Sequence, residues 1–367
     1  MEVLKLQEAR ALLEGCDLSR LKSLQLYPRR LGLRRPAETE RHEATWLVWP
    51  QNEGTFPEPI IYRVKEIFIQ LIDAIRSSEK VKLVVGDAAA LRDAELMLSK
   101  SIGLERVELI KLPAVDVWIR DYGPMFLVGR SGVGGVKFAF NAWGGVYPEL
   151  ISDDLTGTRI LEMVAKICFF SNHVVEGGMV EIGENGEAIA TKECLLDVRR
   201  NGRTNRRAME SVLRNYLGVE RVYWLSKGII GDDTRGHTDT FVRFGDRGQL
   251  LLGEDHFGGP NADRLEVSRR ELEDQLKKAE VPTQLVRVPM PPEVKVLGTP
   301  VPATYLNFYV TNKHVIVPVF GKATDEDAAW NIAQAFPGRE VINIRADELF
   351  YGLGGFHCVT LDEPAGS

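Results

Sequence analysis

Cysteine is scarce in this sequence, and long apolar runs are missing. The four cysteines among 367 residues are Cys16, Cys168, Cys194 and Cys358. No two of them form a Cys-x-x-Cys pair, which argues against a disulfide scaffold and a zinc ribbon. No run reaches the roughly 18 apolar residues that cross a membrane, and the N-terminal residues lack the apolar core of a secretory signal. We therefore expect a cytoplasmic protein.

A basic surplus is also missing. Lysine and arginine number 46 against 52 acidic residues, which gives a net charge of −6, whereas proteins that coat nucleic acid carry excess positive charge. With 44% hydrophobic and 27% charged residues, the composition is that of a globular protein rather than a disordered one. We expect no nucleic-acid or membrane partner. A small cationic substrate fits the net charge, and a homo-oligomer stays open.

A strand–strand–helix–strand pattern repeats along the chain. Turn residues and alternating apolar residues predict four hairpins, at 123–140, 177–196, 239–253 and 307–320. Helical spacing of apolar residues follows each hairpin, at 154–167, 203–217, 262–279 and 324–336. A short β-rich run follows each helix, at 169–175, 222–225, 284–288 and 341–344. The N-terminal part predicts a further copy, with strands at 45–49 and 81–85 around a helix at 60–77, and a last strand is predicted at 357–361.

Five irregular units over roughly 320 residues favour radial repetition over a solenoid. We predict an α/β fold, a five-bladed pseudo-symmetric propeller built from ββαβ units. A single open α/β sheet is the alternative, although no Gly-x-Gly-x-x-Gly follows a strand to support a dinucleotide fold. Residues 1–36 are predicted to be an N-terminal extension, with its basic run 29–36 as a solvated linker. Residues 37–367 form a single domain that carries the site, with a proline-rich loop or lid at 288–303.

Chemically capable side chains cluster just before the first strands of successive units. They are Asp121, Glu176, His237, Asp239 and Cys358. Equivalent positions of a pseudo-symmetric ring lie at the same end near its axis, so these residues are expected to converge. Neighbouring glycines allow the backbone to approach closely.

Several carboxylates around one pocket are costly unless they meet a cation, and a planar guanidinium offers parallel donors to each of them. A cysteine can attack the electron-poor guanidino carbon, and a histidine can transfer protons near neutral pH. The set indicates cysteine-dependent cleavage of a guanidine C–N bond.

Structural roles are the alternative for each residue alone. Cys358 could be a buried hydrophobe, which is the interpretation we prefer for Cys194. Asp121 could pair with Arg120, and Glu176 could cap a glycine turn. Their joint placement at equivalent points of the repeat favours the chemical interpretation.

A metal site is a weaker alternative. His237 and Asp239, with Asp232, Asp233 and His256, could bind two Mn²⁺ as in a ureohydrolase, but such a site needs more ligands than these. No Gly-x-Ser-x-Gly elbow supports a serine hydrolase.

The chain also resembles a known family over residues 37–361. It is similar to the agmatine deiminase and Porphyromonas-type peptidylarginine deiminase family of guanidine-modifying enzymes. The segments that carry the resemblance are 42–50, 118–124, 141–145, 176–178, 231–239, 305–309 and 354–358. The resemblance implies the five-bladed α/β propeller and an enzyme that uses neither a metal nor an organic cofactor.

The resemblance also implies roles for the clustered residues. Cys358 would be the nucleophile, Asp121 and Asp239 would hold the guanidinium, and Glu176 and His237 would orient and transfer protons. A covalent thiouronium-type intermediate would form as ammonia leaves. The expected reaction converts agmatine to N-carbamoylputrescine and ammonia, a step of polyamine biosynthesis towards putrescine. The alternatives are a free or peptidyl-arginine deiminase giving citrulline, an amidinotransferase, and an inactive binding protein.

The residues expected around the substrate tail are less typical of the family. Met179 and Arg235 stand where members more often carry other residues, and Arg235 would attract a carboxylate. We expect Asp232 or Asp233 to pair with Arg235 and mask it. Trp118, Asp116 and Gly355 complete the predicted substrate-binding set, with Trp118 on the methylenes, Asp116 towards a cationic tail and Gly355 beside the nucleophile.

Overall fold

The computed structural model describes residues 26–130, 132–281 and 283–366. Longer helices in this part are α1 (Ile60–Arg76), α2 (Ala88–Ser101), α3 (Asp153–Val164), α4 (Arg206–Leu217), α5 (Ala262–Lys278) and α6 (Asp325–Gln334). The strands of the first half are β1 (His42–Val48), β2 (Lys80–Val85), β3 (Val107–Lys111), β4 (Met125–Gly129), β5 (Gly132–Phe138), β6 (Cys168–Ser171), β7 (Val180–Ile182) and β8 (Glu187–Thr191). Those of the second half are β9 (Arg221–Leu225), β10 (Val242–Phe244), β11 (Leu250–Glu254), β12 (Leu285–Pro289), β13 (Val294–Val296), β14 (Thr299–Val301), β15 (Tyr309–Val310), β16 (His314–Val319), β17 (Glu340–Arg345) and β18 (Leu361–Pro364).

Several small sheets with one shared topology make up this mixed α/β fold. The three-stranded sheets have the orders β4-β5-β6, β7-β8-β9, β10-β11-β12 and β15-β16-β17. In each, an antiparallel pair is followed by a parallel third strand, and a helix lies between the second and third strands. The four-stranded sheet β18-β1-β2-β3 uses the last strand as the antiparallel partner of the first. Closure of these sheets into a five-bladed ring stays a prediction.

Three local expectations differ from the structure. The last strand is not at 357–361, because residues 357–360 form a turn and β18 begins at Leu361. The amides of residues 357 and 358 both donate to the side chain of Asn307, which ties this segment to another unit instead of a sheet. The prediction also missed α2 and β3, and the proline-rich segment 288–303 contains the hairpin β13–β14.

The helices follow from amphipathic patterns and caps. In α1, Ile60, Val64, Phe68, Leu71 and Ile75 recur at helical spacing and are all buried against the sheets. The α2 helix begins after Asp87, whose carboxylate accepts from the amides of residues 89 and 90. No helix in the described ranges is long and apolar enough to cross a membrane.

The described part of the predicted N-terminal extension packs on the body of the protein. Leu33 is buried, and residues 34 and 128 form a β-bridge. The guanidinium of Arg35 donates to both carboxylate oxygens of Asp362. A solvated linker does not describe these residues, because each has a partner in the body. The rest of the predicted extension, residues 1–25, lies outside the described residues, and the division at residue 36 stays a prediction.

Candidate active site

Four turns from distant parts of the sequence meet at one buried site. Asp121 lies on the helical turn Ile119–Tyr122, Glu176 precedes the turn Gly177–Met179, His237 and Asp239 lie at the turn Thr238–Thr240, and Cys358 precedes β18. All five side chains are buried. Each turn lies next to the end of a strand, and the side chains on the turns lie close together. The predicted convergence is therefore observed.

Asp121 is fixed by two donors. Its Oδ2 accepts from the indole of Trp143 at 2.9 Å, and its Oδ1 accepts from the amide of Gly178 at 3.0 Å. His237 Nδ1 lies 3.8 Å from Oδ2. Burial raises the pKa of Asp121 to about 6, against the attraction of His237 and with support from the charges of Glu176 and Asp239. Asp121 therefore gains most from a cation bound beside it, and its neighbour Arg120 pairs elsewhere, with Glu38 and Asp362.

His237, Glu176 and Arg200 form a buried chain of charge. His237 Nε2 lies 2.7 Å from Glu176 Oε2, and Arg200 donates to both Glu176 oxygens, at 2.8 and 2.9 Å. Burial opposes charge on Glu176, but Arg200 and His237 lower its pKa. Burial likewise opposes charge on His237, but Asp121 and the hydrogen bonds to Cys194 and Glu176 raise its pKa well above the usual range. His237 is thus held as a cation that can donate a proton.

Asp239 has one oxygen engaged and one free. Its Oδ2 lies 2.7 Å from His357 Nδ1 and 3.7 Å from Cys358 Sγ. Its Oδ1 is buried and has no hydrogen-bond partner among the described residues. Burial opposes the ionised carboxylate, but the hydrogen bond from His357 and that ring's charge lower the pKa of Asp239. A buried acceptor without a donor is costly, so Oδ1 marks a position for a ligand N–H group.

Cys358 is held as a thiol in the free protein. Its side chain is 8% exposed, and its amide donates to Asn307 Oδ1 at 3.3 Å. Burial and the charges of Asp239 and Asp121 raise its pKa well above the usual range, whereas the Gly355 backbone and the Asn307 side chain lower it. Because the two carboxylates oppose the thiolate, a cation placed between them would favour it.

A cavity leads from Cys358 to the protein surface. Its walls are Trp118, Asp121, Trp143, Tyr147, Asp233, Thr234, Gly352, Leu353, Gly354 and Cys358. Asp233 accepts from the Tyr147 hydroxyl, and burial raises its pKa. The wall therefore combines the Cys358 thiol, the carboxylates of Asp121 and Asp233, and three aromatic side chains.

The structure places the predicted tail residues differently. Trp118 lines the cavity as expected, and Gly355 is buried behind it against Asn307 and Phe350. Asp116 is buried away from the described cavity walls, where Asn52 and Thr55 donate to its carboxylate. It is therefore already engaged and does not face the cavity.

The expectation that Arg235 is paired is wrong. Arg235 is exposed with a left-handed backbone (φ +65°). Asp232 accepts from residues 234, 236 and 237, and Asp233 accepts from Tyr147. Both carboxylates are engaged by these donors, and the described part of the chain shows no ion pair between them and Arg235. Asp233 lies in the cavity wall, whereas Arg235 on the same loop does not.

Cys194 and His256 are also placed by the structure. Cys194 is fully buried as expected, but its Sγ lies within 4.8 Å of the ligand atoms of Glu176 and His237, so it borders the site. Its thiol donates to the Thr234 carbonyl at 3.6 Å. His256 pairs with Glu254 on the wall of another cavity and therefore adds no ligand beside His237.

Sequence reasoning missed several residues of the site. Trp143, Asn307 and His357 lie within segments that carry the family resemblance, yet their contacts were not predicted. Arg200 and Glu38 had no motif to mark them, because each meets its partner only in space. Arg200 is buried and donates to Glu176, and Glu38 meets His357 at 2.8 Å.

Comparisons with known proteins agree with this geometry. A family model described as Porphyromonas-type peptidyl-arginine deiminase matches residues 34–364. The agmatine deiminase of Pseudomonas aeruginosa is 31% identical over 371 residues, which cover 92% of this chain and 97% of that protein. The agmatine deiminase of Ectopseudomonas mendocina is 30% identical and the match covers 94% and 99%. A solved structure of the agmatine deiminase of Enterococcus faecalis superposes with a TM-score of 0.85 at 26% identity, covering 93% and 98%.

Proposed function

This chain belongs to the Porphyromonas-type peptidyl-arginine deiminase family and is a hydrolytic enzyme that cleaves a C–N bond of guanidino groups, and on that premise we propose that its substrate is agmatine. The products would be N-carbamoylputrescine and ammonia. One observation carries the proposal: Cys358, Asp121 and Asp239 meet at one buried site, where Asp239 Oδ1 lacks a partner and a cavity leads outward.

The guanidinium would bind between the two carboxylates. It carries a fixed positive charge and several parallel N–H donors. Asp239 Oδ1 offers a buried acceptor without a donor, and Asp121 is an acid whose ionised form needs a nearby cation. Binding a guanidinium would therefore give Asp239 Oδ1 a hydrogen-bond donor and Asp121 a cation.

Cys358 would then attack the guanidino carbon. The bound cation offsets the carboxylate charges that hold the thiol protonated, so substrate binding itself promotes the thiolate, and the S–H proton passes to solvent. A C–S bond forms, the C=N electron pair moves to nitrogen, and a tetrahedral adduct results. His237 donates its proton to one amino group, the C–N bond breaks, and ammonia leaves a thiouronium-type intermediate on sulfur.

Hydrolysis of the intermediate would complete the cycle. Neutral His237, oriented by Glu176, takes a proton from a water molecule that attacks the same carbon. The C–S bond breaks, the thiol is regenerated, and the ureido product leaves. The balance is one water consumed and one ammonia released, and each step uses a side chain of this site.

The far part of the cavity supports an amine at the substrate tail. Asp233 lies in the cavity wall with Tyr147, and Trp118 and Trp143 line the same cavity as Cys358. A buried acid whose pKa is raised is stabilised in its ionised form by a cation. An ammonium group satisfies it, whereas a carboxylate tail would meet repulsion.

The remaining predictions join this proposal. We infer that the small sheets stand around a common axis as a five-bladed propeller, and that residues 37–367 act as one catalytic domain. The repeated strand topology and the convergence of four turns support this arrangement. The partner would be a small cationic guanidine, and independence from metals stays part of the proposal.

Ammonia release over agmatine, arginine and a blocked arginine peptide tests the assignment. We expect agmatine to give the highest kcat/KM, with equal ammonia and ureido product and no change after EDTA treatment. Asp233→Asn should raise the agmatine KM by about tenfold or more, equivalent to ~1.4 kcal/mol. Arg235→Ala, the control on the same loop, should change it by less than about threefold, ~0.7 kcal/mol.

Other outcomes identify the alternatives. Preference for arginine, reversed in Arg235→Ala, would make that residue a carboxylate reader and the agmatine assignment wrong. Urea production that needs Mn²⁺ would indicate ureohydrolase chemistry. Transfer of the amidino group to an amine without ammonia would indicate an amidinotransferase.

A further inference from the structure

The imidazole of His357 lies between two buried carboxylates. Its Nδ1 is 2.7 Å from Asp239 Oδ2, and its Nε2 is 2.8 Å from Glu38 Oε2. An ionised carboxylate only accepts hydrogen bonds, and a neutral imidazole has a single N–H group. Both contacts are satisfied together only if the ring carries two protons, so His357 is an imidazolium between two anions.

The surroundings keep both carboxylates ionised. Glu38 also forms ion pairs with Arg120 and Arg243, at 3.0 and 2.9 Å, and accepts a hydrogen bond from the amide of Val310 at 2.9 Å. Burial opposes charge on Glu38, but His357, Arg243 and Arg120 hold its pKa well below the usual range. The fixed cations on one side therefore make Glu38 a permanent anion for the ring.

We propose that Glu38 and His357 are positioning residues, which hold Asp239 through a carboxylate–imidazolium–carboxylate relay. The relay engages Asp239 Oδ2 and leaves Oδ1 free for the guanidinium, and it places a cation next to Cys358 along the chain. The inference rests on the proposed function, because it assigns to Asp239 and Cys358 the roles described above. It extends the site to a residue on the segment before β1, far in sequence from the nucleophile.

Several charged groups surround the ring of His357. Asp239 and Glu38 face its two nitrogens, Arg120 and Arg243 stand behind Glu38, and Asp362 pairs with Arg120. Cys358 is the next residue in the chain, and Arg120 Nε donates to the carbonyl of His357. Neutralising Glu38 therefore removes one of the two anions that face the ring.

Glu38→Gln in the full chain tests the relay. Removing one charge-assisted contact should lower kcat/KM for agmatine by about tenfold to a hundredfold. The dependence of kcat/KM on pH should also differ from that of wild type, because the charge facing the ring opposite Asp239 is removed. The pH profile of Cys358 alkylation by iodoacetamide should shift as well, because the ring held against Asp239 and next to Cys358 loses a charged partner. Glu40→Gln, which removes an exposed partner of Arg34 on the same segment, should leave both profiles unchanged.

A second pair of variants covers a misfolded Glu38→Gln. In His357→Asn the amide nitrogen can still donate to Asp239, so this variant should retain at least about tenfold more kcat/KM than His357→Leu. Adding Glu38→Gln to His357→Asn should cost little more, because the relay is already broken.

Wild-type kinetics in Glu38→Gln, or equal loss in His357→Asn and His357→Leu, would overturn the relay. A loss of activity with a lowered thermal midpoint and unchanged pH and alkylation profiles would make Glu38 purely structural. If wild type releases no ammonia from any guanidine, the proposed function fails on its own. The shift in the alkylation profile still decides whether Glu38 and His357 act on Cys358.

Discussion

The pKa values of two aspartates of the site are shifted in opposite directions because their neighbours differ. Asp121 faces other carboxylates and has its pKa raised to about 6 by burial, whereas Asp239 is bonded to an imidazolium and has its pKa lowered. Asp239 already has a hydrogen-bonded partner in His357, whereas Asp121 is ionised near neutral pH at a cost. A bound guanidinium therefore relieves Asp121 more than Asp239.

Cys358→Ser or Cys358→Ala should abolish turnover and leave the fold intact, because covalent catalysis needs the thiolate. Iodoacetamide should inactivate wild type, and saturating agmatine should protect it. Cys168→Ala is the matched control, since Cys168 donates only to backbone carbonyls of residues 161 and 165. Steady-state ammonia release checks all of them, and a fully active Cys358→Ala would remove the nucleophile from the mechanism.

The sequence predicted which residues meet at the site better than it predicted how they are held. Cys358, His237 and Asp239 were found because each stands at an equivalent point of the repeat. Arg200 and Glu38 were not, because a buried ion pair between distant turns leaves no spacing to detect. The prediction of the residues around the substrate tail failed for a similar reason. Asp116 and Asp233 are both acids near site motifs, and only the fold shows which one lies in the cavity wall.

At the scale of elements, short turns do the positioning. The turn Gly177–Met179 passes between the aspartates, where the amide of Gly178 donates to Asp121 and its carbonyl accepts from Thr238. A Cβ atom at Gly178 would clash with His237 Nδ1 and lie 3.0 Å from Asp239 Oδ2. The absence of a side chain there is therefore a requirement of the site, because backbone and ring must nearly touch.

Gly178→Ala should reduce kcat/KM by about a hundredfold or more, because displacing a catalytic group by about 1 Å is enough for such a loss. Gly338→Ala is the control: it lies in an exposed turn between α6 and β17, and nothing stands within 4 Å of the added atom. That variant should keep wild-type kinetics. Equal kinetics for the two variants would show that His237 tolerates displacement.

The elements themselves were largely readable. The predicted hairpins and helices lie within a few residues of β4–β5, β7–β8, α4 and α5, because turn residues and amphipathic spacing are local signals. The strand predicted at 357–361 failed because Asn307, a residue of another unit, holds that segment in a turn. Long-range contacts overrode local preference there.

At the scale of the molecule, the buried charges set how stability depends on pH. Asp121 has a folded-state pKa of about 6, above the value of about 3.9 for an unfolded chain. Between these values the folded state binds more protons than the unfolded state, so stability falls as pH rises. The site is thus destabilising near neutral pH until a cation binds.

Asp121→Asn should remove this dependence. The free energy of unfolding of wild type, minus that of the variant, should fall by up to ~3 kcal/mol between pH 4 and 7, the cost of the raised pKa. Urea titrations without ligand at several pH values measure the difference. Parallel pH curves for the two proteins would show that Asp121 ionises normally.

The strand that pairs with β1 to complete the first sheet, β18, is the last strand of the described chain. β18 pairs with β1, and Arg35 meets Asp362 across 327 residues. A ribosome adding about 5–20 residues per second therefore releases β1 long before its partner exists. Cys358 emerges three positions ahead of β18, so the reactive thiol and the strand that completes its surroundings arrive together. A truncated translation product that ends before Cys358 therefore lacks both the reactive thiol and β18.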